Sequence, residues 1–466
     1  MNFRFKILDF RFNISDFVYR ILKQLFIILF LFTLIPIAYS QNVKIGVALP
    51  LFEDSDDNSK KELGTDILNG LRFALGDYNK TASQRVELDI KDTKRDINTT
   101  VDICKSFASN DSVQCILGPV FSAELGEVAD IGSSEKIPII SPTATGDDLA
   151  ETHDYIFQLN PSYHVRGKLM ADYLIKELGM DRFAVISEEN YGKNFKEPFE
   201  NEVDKQGGKI MISKTYNKDA KNITDIVKDI LNIIRDNDLF INIGNLNLAQ
   251  REKLEEAGVR EELIDSLLTL KKDVSIYFLL GDNAIKIIDT MKIRPFIIKN
   301  INTASFIQGY LDAIYIPISN PSEISLIVPE LFSNGLSFFL AGTGDWNNEK
   351  YLEENKMYIN NLIFESEYFP DPQGTGMLEL KSKIAKTKYK LNKNFLFGYD
   401  AMKVLLYVIG NGNKTRKQIN DALEKLKSYE AVKSRISLDY KRVNSELNIL
   451  SYTDKLNRVA LYKIDK

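Results

Sequence analysis

Residues 43–51, VKIGVALPL, followed at 62–79 by ELGTDILNGLRFALGDYN, decide the fold. The first run is apolar and ends at turn residues, which reads as a buried strand. The second places apolar residues three and four apart, which reads as an amphipathic helix. The alternation then continues. VELDIKDT (86–93) is a strand, TTVDICKSFASND (99–111) a helix, VQCILGPV (113–120) a strand, FSAELGEVADIGSSEK (121–136) a helix and IPIISPT (137–143) a strand. Strand–helix–strand at this rhythm predicts a parallel sheet covered on both faces.

A second copy of the rhythm follows Asn160 and Pro161. It runs SYHVRGKLMADYLIKELG (162–179), RFAVISEE (182–189), GKNFKEPFENEVDKQGG (192–208), KIMISKTY (209–216) and ITDIVKDILNIIRDN (223–237). It resumes with the strand LDAIYIPI (311–318), the helix EISLIVPELFSNG (323–335) and the strand SFFLAGTG (337–344). The expectation is an α/β protein of two Rossmann-like lobes. One lobe is residues 41–159 plus 371–432, and the other is 160–370 plus 433–466. The stretch 237–305 fits the rhythm poorly and reads as an insertion in the second lobe, the alternative being a βα repeat with a blurred pattern. Beyond residue 371 the pattern gives helices at 376–390, from Tyr399, and at 415–427, then hairpins. The chain is expected to return to the first lobe and cross back to the second.

The composition is ordinary for a globular chain: 466 residues, 44% hydrophobic and 27% charged. One apolar run stands out, LFIILFLFTLIPIA at 25–38. It is too short to span a hydrocarbon core comfortably. It follows Arg20 and Lys23 and ends in Ala38-Tyr39-Ser40, the pattern of a signal peptide cleaved after Ser40. The expected location is therefore periplasmic or otherwise extracytoplasmic, the alternative being an uncleaved anchor. Without residues 1–40 the formal charge is −8. No basic tract with interleaved aromatics is present, so nucleic acid is a poor partner. The two cysteines, Cys104 and Cys115, are expected late on a helix and early on the next strand. In an oxidising compartment they could pair, and two buried thiols is the alternative.

In parallel α/β sheets, ligands sit beyond the carboxyl ends of the strands. That criterion selects the loops carrying Phe52, Ser122, Thr143 with Thr145, Tyr191, and Asp345 with Trp346. Ser122 opens a helix, so it reads as an N-cap whose hydroxyl and neighbouring N–H groups suit an anion; the plainer reading is a cap for its own helix. Thr143 and Thr145 add hydroxyls. Tyr191 could press on a ligand from the opposite wall, and Asp345 could take an ammonium group. Trp346, the only tryptophan, could line the cleft or fill core.

The ordered set KIGVALPLF, CILGPVFSAE, PIISPTAT, the joint at 157–161, VISEENYGKNF, LAGTGDWN and FGYDAMKVLLY resembles the Leu/Ile/Val-binding type of periplasmic binding protein. The resemblance implies the type 1 fold, two lobes joined by three crossovers with ligand between them. It implies that Ser122, Ala144 and Thr145 hold an α-carboxylate and amine, that Tyr191 covers the ligand and that an acid near Asp345 pairs with the amine. It further implies a monomer that delivers a small polar ligand, such as an amino acid, to the membrane permease of an ABC transporter. The 237–305 stretch has no counterpart in the short amino-acid binders. GTGDWN also resembles the penicillin-binding-protein activators, so an envelope regulatory protein that binds a partner stays open as an alternative. Only His153 and His164 are available as histidines, with no metal spacing, and no nucleophile elbow, P-loop or dinucleotide fingerprint occurs. No cofactor, metal or catalytic activity is expected, although carboxylate-only hydrolysis is not barred by sequence.

Overall fold

The computed structural model describes residues 42–464 except 83, 238, 272, 299–309 and 360. The signal-peptide reading falls on residues 1–40, outside the described residues. The first sheet is built by β1 (Val43–Leu49), β2 (Val86–Asp92), β3 (Val113–Leu117), β4 (Ile139–Ser141) and β5 (Ile156–Gln158), with α1 (Asn58–Thr81), α2 (Ile97–Ala108) and α3 (Ser122–Ser134) between them. Its order is β2-β1-β3-β4-β5, and every pairing is parallel. Helix α1 forms because its apolar residues fall on one stripe, burying Ile67, Leu68, Leu71 and Ala74. The Asp57 side chain caps it, accepting from the Ser59 N–H at 3.0 Å.

The chain then enters a second sheet. It runs through α4 (Tyr163–Lys176), β6 (Arg182–Glu188), α5 (Lys193–Lys205), β7 (Lys209–Tyr216) and α6 (Thr224–Asn237). Residues 240–298 form a small body of their own. Strands β8 (Phe240–Asn242), β9 (Asp273–Ser275) and β10 (Ile297–Ile298) pair antiparallel in the order β10-β8-β9. Helices α7 (Leu248–Glu256), α8 (Glu261–Leu270), α9 (Ile276–Leu280) and α10 (Ala284–Met291) cover them. Ile241, Leu254, Ile264, Val274 and Ile288 give this body a separate core. It leaves from the end of α6 and rejoins at Asp312, whose carboxylate accepts the N–H groups of Asp181 and Arg182 at 2.8 and 2.9 Å. Those residues start β6, so this body sits at the amino ends of the strands, opposite the carboxyl ends.

The second sheet continues with β11 (Ala313–Ile316), α11 (Ile324–Ser333), β12 (Phe339–Gly342), α12 (Glu349–Asn355) and β13 (Leu362–Ser366). The chain next builds α13 (Thr375–Ile384), α14 (Lys393–Gly410), α15 (Arg416–Glu424) and the short hairpin of β14 (Tyr429–Glu430) and β15 (Arg435–Ile436). It ends in the hairpin of β16 (Glu446–Tyr452) and β17 (Leu456–Lys463). The second sheet has the order β17-β16-β13-β12-β11-β6-β7, parallel from β7 to β13 and antiparallel beyond. Helix α14 lies directly on α1 of the first half. A Cβ on Gly398 would stand 2.0 Å from the Ile67 carbonyl oxygen, and one on Gly70 2.1 Å from that of Phe395, so only glycine permits this approach.

Three segments therefore pass between the sheets: after β5, after β13, and before β16. They brace one another. Gln158 bridges Val443 in parallel, and the Phe369 N–H donates to the Lys433 carbonyl at 2.7 Å. The sheets remain separate, yet one apolar cluster joins the halves. It contains Phe107 and Leu125, Phe183 and Phe195, and Val443 from the crossing segment.

The disulfide reading is corrected: Cys104 and Cys115 are both free and fully buried. They face opposite sides of the first sheet. Cys104 packs with the cluster of Phe107 and Leu125, Cys115 with that of Ile67 and Leu405. Burial pushes both thiols up to about 12, so neither is a thiolate near neutral pH.

Candidate functional site

On the first half, the loops after β1, β3 and β4 are fixed by their own polar groups. Phe52 follows β1 with φ of 50°, and the Asp92 carboxylate holds its neighbours by accepting the Leu51 and Glu53 N–H groups at 2.8 and 2.9 Å. Ser122 does not occupy the capping position, which belongs to Phe121 and carries no side-chain cap. The Ser122 hydroxyl instead accepts from the N–H groups of Thr145 and Gly146 at 3.2 and 2.9 Å. It serves to lace two loops together, a use that helix-start spacing does not reveal. Thr143 donates its hydroxyl to the Val120 carbonyl at 2.7 Å, and the Ala144 N–H donates to the Ser141 hydroxyl at 3.2 Å. Thr145 is half-buried, and among the described residues its hydroxyl has no partner.

Tyr163, at the start of α4, connects this rim to the other. Its N–H donates to the Thr145 carbonyl at 3.0 Å, and its ring meets Tyr191 edge-on at 5.6 Å. Tyr191 sits in the turn after β6. That turn is wound around the Glu188 carboxylate, which accepts the N–H groups of Asn190, Tyr191 and Gly192 at 3.1, 2.6 and 3.3 Å. Asp345 lies in the short turn Gly344–Trp346 after β12, half-buried. Its carboxylate accepts the Thr343 hydroxyl at 3.4 Å and a hydrogen bond from the Tyr191 side chain, and it has no ion pair among the described residues. Burial raises its pKa. The Arg166 charge and the Tyr191 hydroxyl oppose that rise, and Glu367 adds to it. The structure thus strings Ser122, Ala144, Thr145, Tyr191 and Asp345 into one neighbourhood.

Trp346 is not part of it. The indole is fully buried in the core of the second half and donates to the Ile316 carbonyl at 2.8 Å. The glycine-rich turn folds the ring back beneath the strand ends instead of presenting it. A Cβ on Gly342 would stand 2.4 Å from that ring, so residue 342 must be glycine to admit the indole.

Beneath the Asp345 turn lies a set of charges that motif reading missed. Arg166, on α4 and 4% exposed, donates from Nε to both Glu365 oxygens at 3.0 and 3.1 Å and from Nη2 to Glu367 at 3.2 Å. Lys393, at the start of α14, reaches Glu367 at 2.8 Å. Lys433, fully buried, packs over the Phe397 ring and contacts the Glu367 carbonyl, while its N–H and that of Val432 donate to Asp400. Burial pushes Glu365 up to about 7 against the pull of Arg166. Lys393 and Arg166 hold Glu367 well below the usual carboxylate range despite burial. Arg166 and Lys393 pair with Glu365 and Glu367, whereas Asp345 has no ion pair among the described residues. The signal was present in LIFESEYF, where two glutamates two residues apart close an apolar strand, and in an arginine set among apolar helix residues.

Residues 42–269 match the family model described as periplasmic binding protein. A Leu/Ile/Val-binding protein homologue from Brucella melitensis is 26% identical over 171 residues, 36% of this chain and 45% of that protein; the match spans less than half of the relative. A branched-chain amino acid transporter protein from Rhodospirillum rubrum superposes with a TM-score of 0.63 at 15% identity, covering 90% of this chain and 100% of that one. A Streptococcus pneumoniae substrate-binding protein in complex with isoleucine gives 0.53 at 16% identity, covering 91% and 100%. A Rhodopseudomonas palustris solute-binding protein in complex with 3,4-dihydroxybenzoic acid gives 0.54 at 14% identity, covering 91% and 98%.

Proposed function

We propose that this chain, which has the type 1 periplasmic binding protein fold and resembles the Leu/Ile/Val-binding proteins, captures a small polar ligand carrying a cationic amine, such as an amino acid, between its two halves. The ligand is then passed to the membrane permease of an ABC transporter, and no bond is made or broken. The observation that carries the reading is Asp345: a half-buried carboxylate beside Tyr191 that has no ion pair among the described residues, while Arg166 and Lys393 are taken up by Glu365 and Glu367. An ammonium group placed there stabilises the carboxylate that burial disfavours. The half-exposed Thr145 hydroxyl and the backbone around Ser122 and Ala144 offer the other end a polar rim. Closure follows because a ligand that touches both rims binds the closed form better than the open one.

A thermal-shift screen of amino acids and small polar metabolites tests this, since ligand binding raises the melting temperature. Asp345→Asn should then weaken the bound compound by roughly 10- to 150-fold, about 1.5–3 kcal/mol for a lost charged hydrogen bond. Wild-type affinity should hold at neutral pH and fall as pH drops through the Asp345 pKa, because protonation removes the charge the amine requires. Burial places that window higher than for an exposed aspartate. Silence across the panel would favour the envelope regulatory role.

A further inference from the structure

Arg166 touches neither rim loop's exposed surface, yet it is packed against everything that shapes the second one. Its Nε and Nη2 engage Glu365 and Glu367, and Glu365 in turn accepts the Gly344 N–H at 3.1 Å, the first residue of the Asp345 turn. The guanidinium is so close to that turn that a Cβ on Gly344 would stand 2.3 Å from Nη2. On its other side the guanidinium carbon lies 5.2 Å from the centre of the Phe195 ring. Phe195 is fully buried and meets Tyr191 edge-on at 5.2 Å and Tyr163 at 5.0 Å.

We propose that Arg166 is a positioning residue for ligand capture: held by Glu365 and Glu367, it sets the Asp345 turn through Gly344 and the Tyr191 ring through Phe195. The role rests on the proposed function of the site. A planar guanidinium suits it because one group satisfies two carboxylates in fixed directions while packing near a ring, which an ammonium cannot do. Asp345 is faced by Arg166 on α4, Tyr191 after β6, Tyr315 on β11, Glu367 after β13 and Lys393 on α14. Among these, the two cations oppose its protonation, and Arg166 contributes more than Lys393.

The test uses the full chain as Arg166→Lys, Arg166→Met and Gly344→Ala. Affinity is measured for an amino acid that the wild type binds, and the Asp345 titration is followed by carboxyl carbon NMR without ligand. Arg166→Lys keeps the charge and should leave the Asp345 midpoint near its wild-type value, yet lose at least tenfold in affinity. Gly344→Ala keeps Arg166 but displaces it, and should lose affinity to a similar degree. Arg166→Met should move the Asp345 midpoint upward, which loss of packing alone would not do. If Arg166→Met does not fold, the other two variants decide. Wild-type affinity in both Arg166→Lys and Gly344→Ala overturns the assignment, as does an unmoved midpoint in a folded Arg166→Met. If the wild type binds no compound, the functional reading fails, and the NMR midpoint still decides whether Arg166 governs Asp345.

Discussion

Replacing Trp346 by Phe separates a core role from a ligand role. The indole is 0% exposed and its Nε1–H donates to the Ile316 carbonyl at 2.8 Å. Phenylalanine removes the donor and leaves a buried carbonyl short of a partner, a loss of about 1–3 kcal/mol. The smaller ring also leaves a gap under Gly342, adding about 1 kcal/mol. Trp346→Phe should therefore lower the unfolding free energy in urea by roughly 2–4 kcal/mol, with ligand affinity within twofold of wild type once folded. The wild-type chain provides a second readout because this is its only tryptophan. Its native fluorescence should be that of a ring shielded from water, resistant to acrylamide until urea unfolds the chain. Unchanged urea stability together with lost ligand binding in this variant would return the ring to the cleft.

Gly398→Ala should force α14 away from α1 and cost about 1–3 kcal/mol by overpacking, read as a lower urea midpoint. Both cysteines should resist a thiol reagent in the native state and react with two equivalents on unfolding, and reductant should leave the melting temperature unchanged. Leu254→Ala should loosen the 240–298 body, with faster hydrogen exchange there and unchanged ligand affinity, because that body has its own core at the amino ends of the strands.

The parallel architecture was legible because each strand and helix carries its own periodicity. VKIGVALPL and the stripe Ile67–Leu71–Ala74 need no distant partner to be read. Strand β5, Ile156–Gln158, was not seen, because its three residues lie at the stretch read as a joint between the halves. The strand LIFES, 362–366, went unread for a different reason: a glutamate inside it breaks the apolar pattern until Arg166, almost two hundred residues earlier, is known to neutralise it. Asp345 and Tyr191 were selected because loops after strands can be counted, and the structure sets the two side by side. Trp346 was misplaced because a glycine-rich turn looks open in sequence, whereas here glycine makes room for the indole. Ser122 was recognised as a loop polar group, but the direction of its hydroxyl depends on a loop twenty residues on.

A ligand that touches both rims should draw the two halves together. The direct measurement is an electron spin–spin distance between labels at Asp130→Cys and Asp225→Cys, whose native side chains are 98% and 97% exposed, on opposite halves. The buried native thiols should stay unlabelled. With an amino acid that calorimetry shows to bind, the distance should become shorter and narrower, and in Asp345→Asn it should stay at the free-state value at the same ligand concentration. A distance distribution that the bound ligand leaves unchanged would contradict closure.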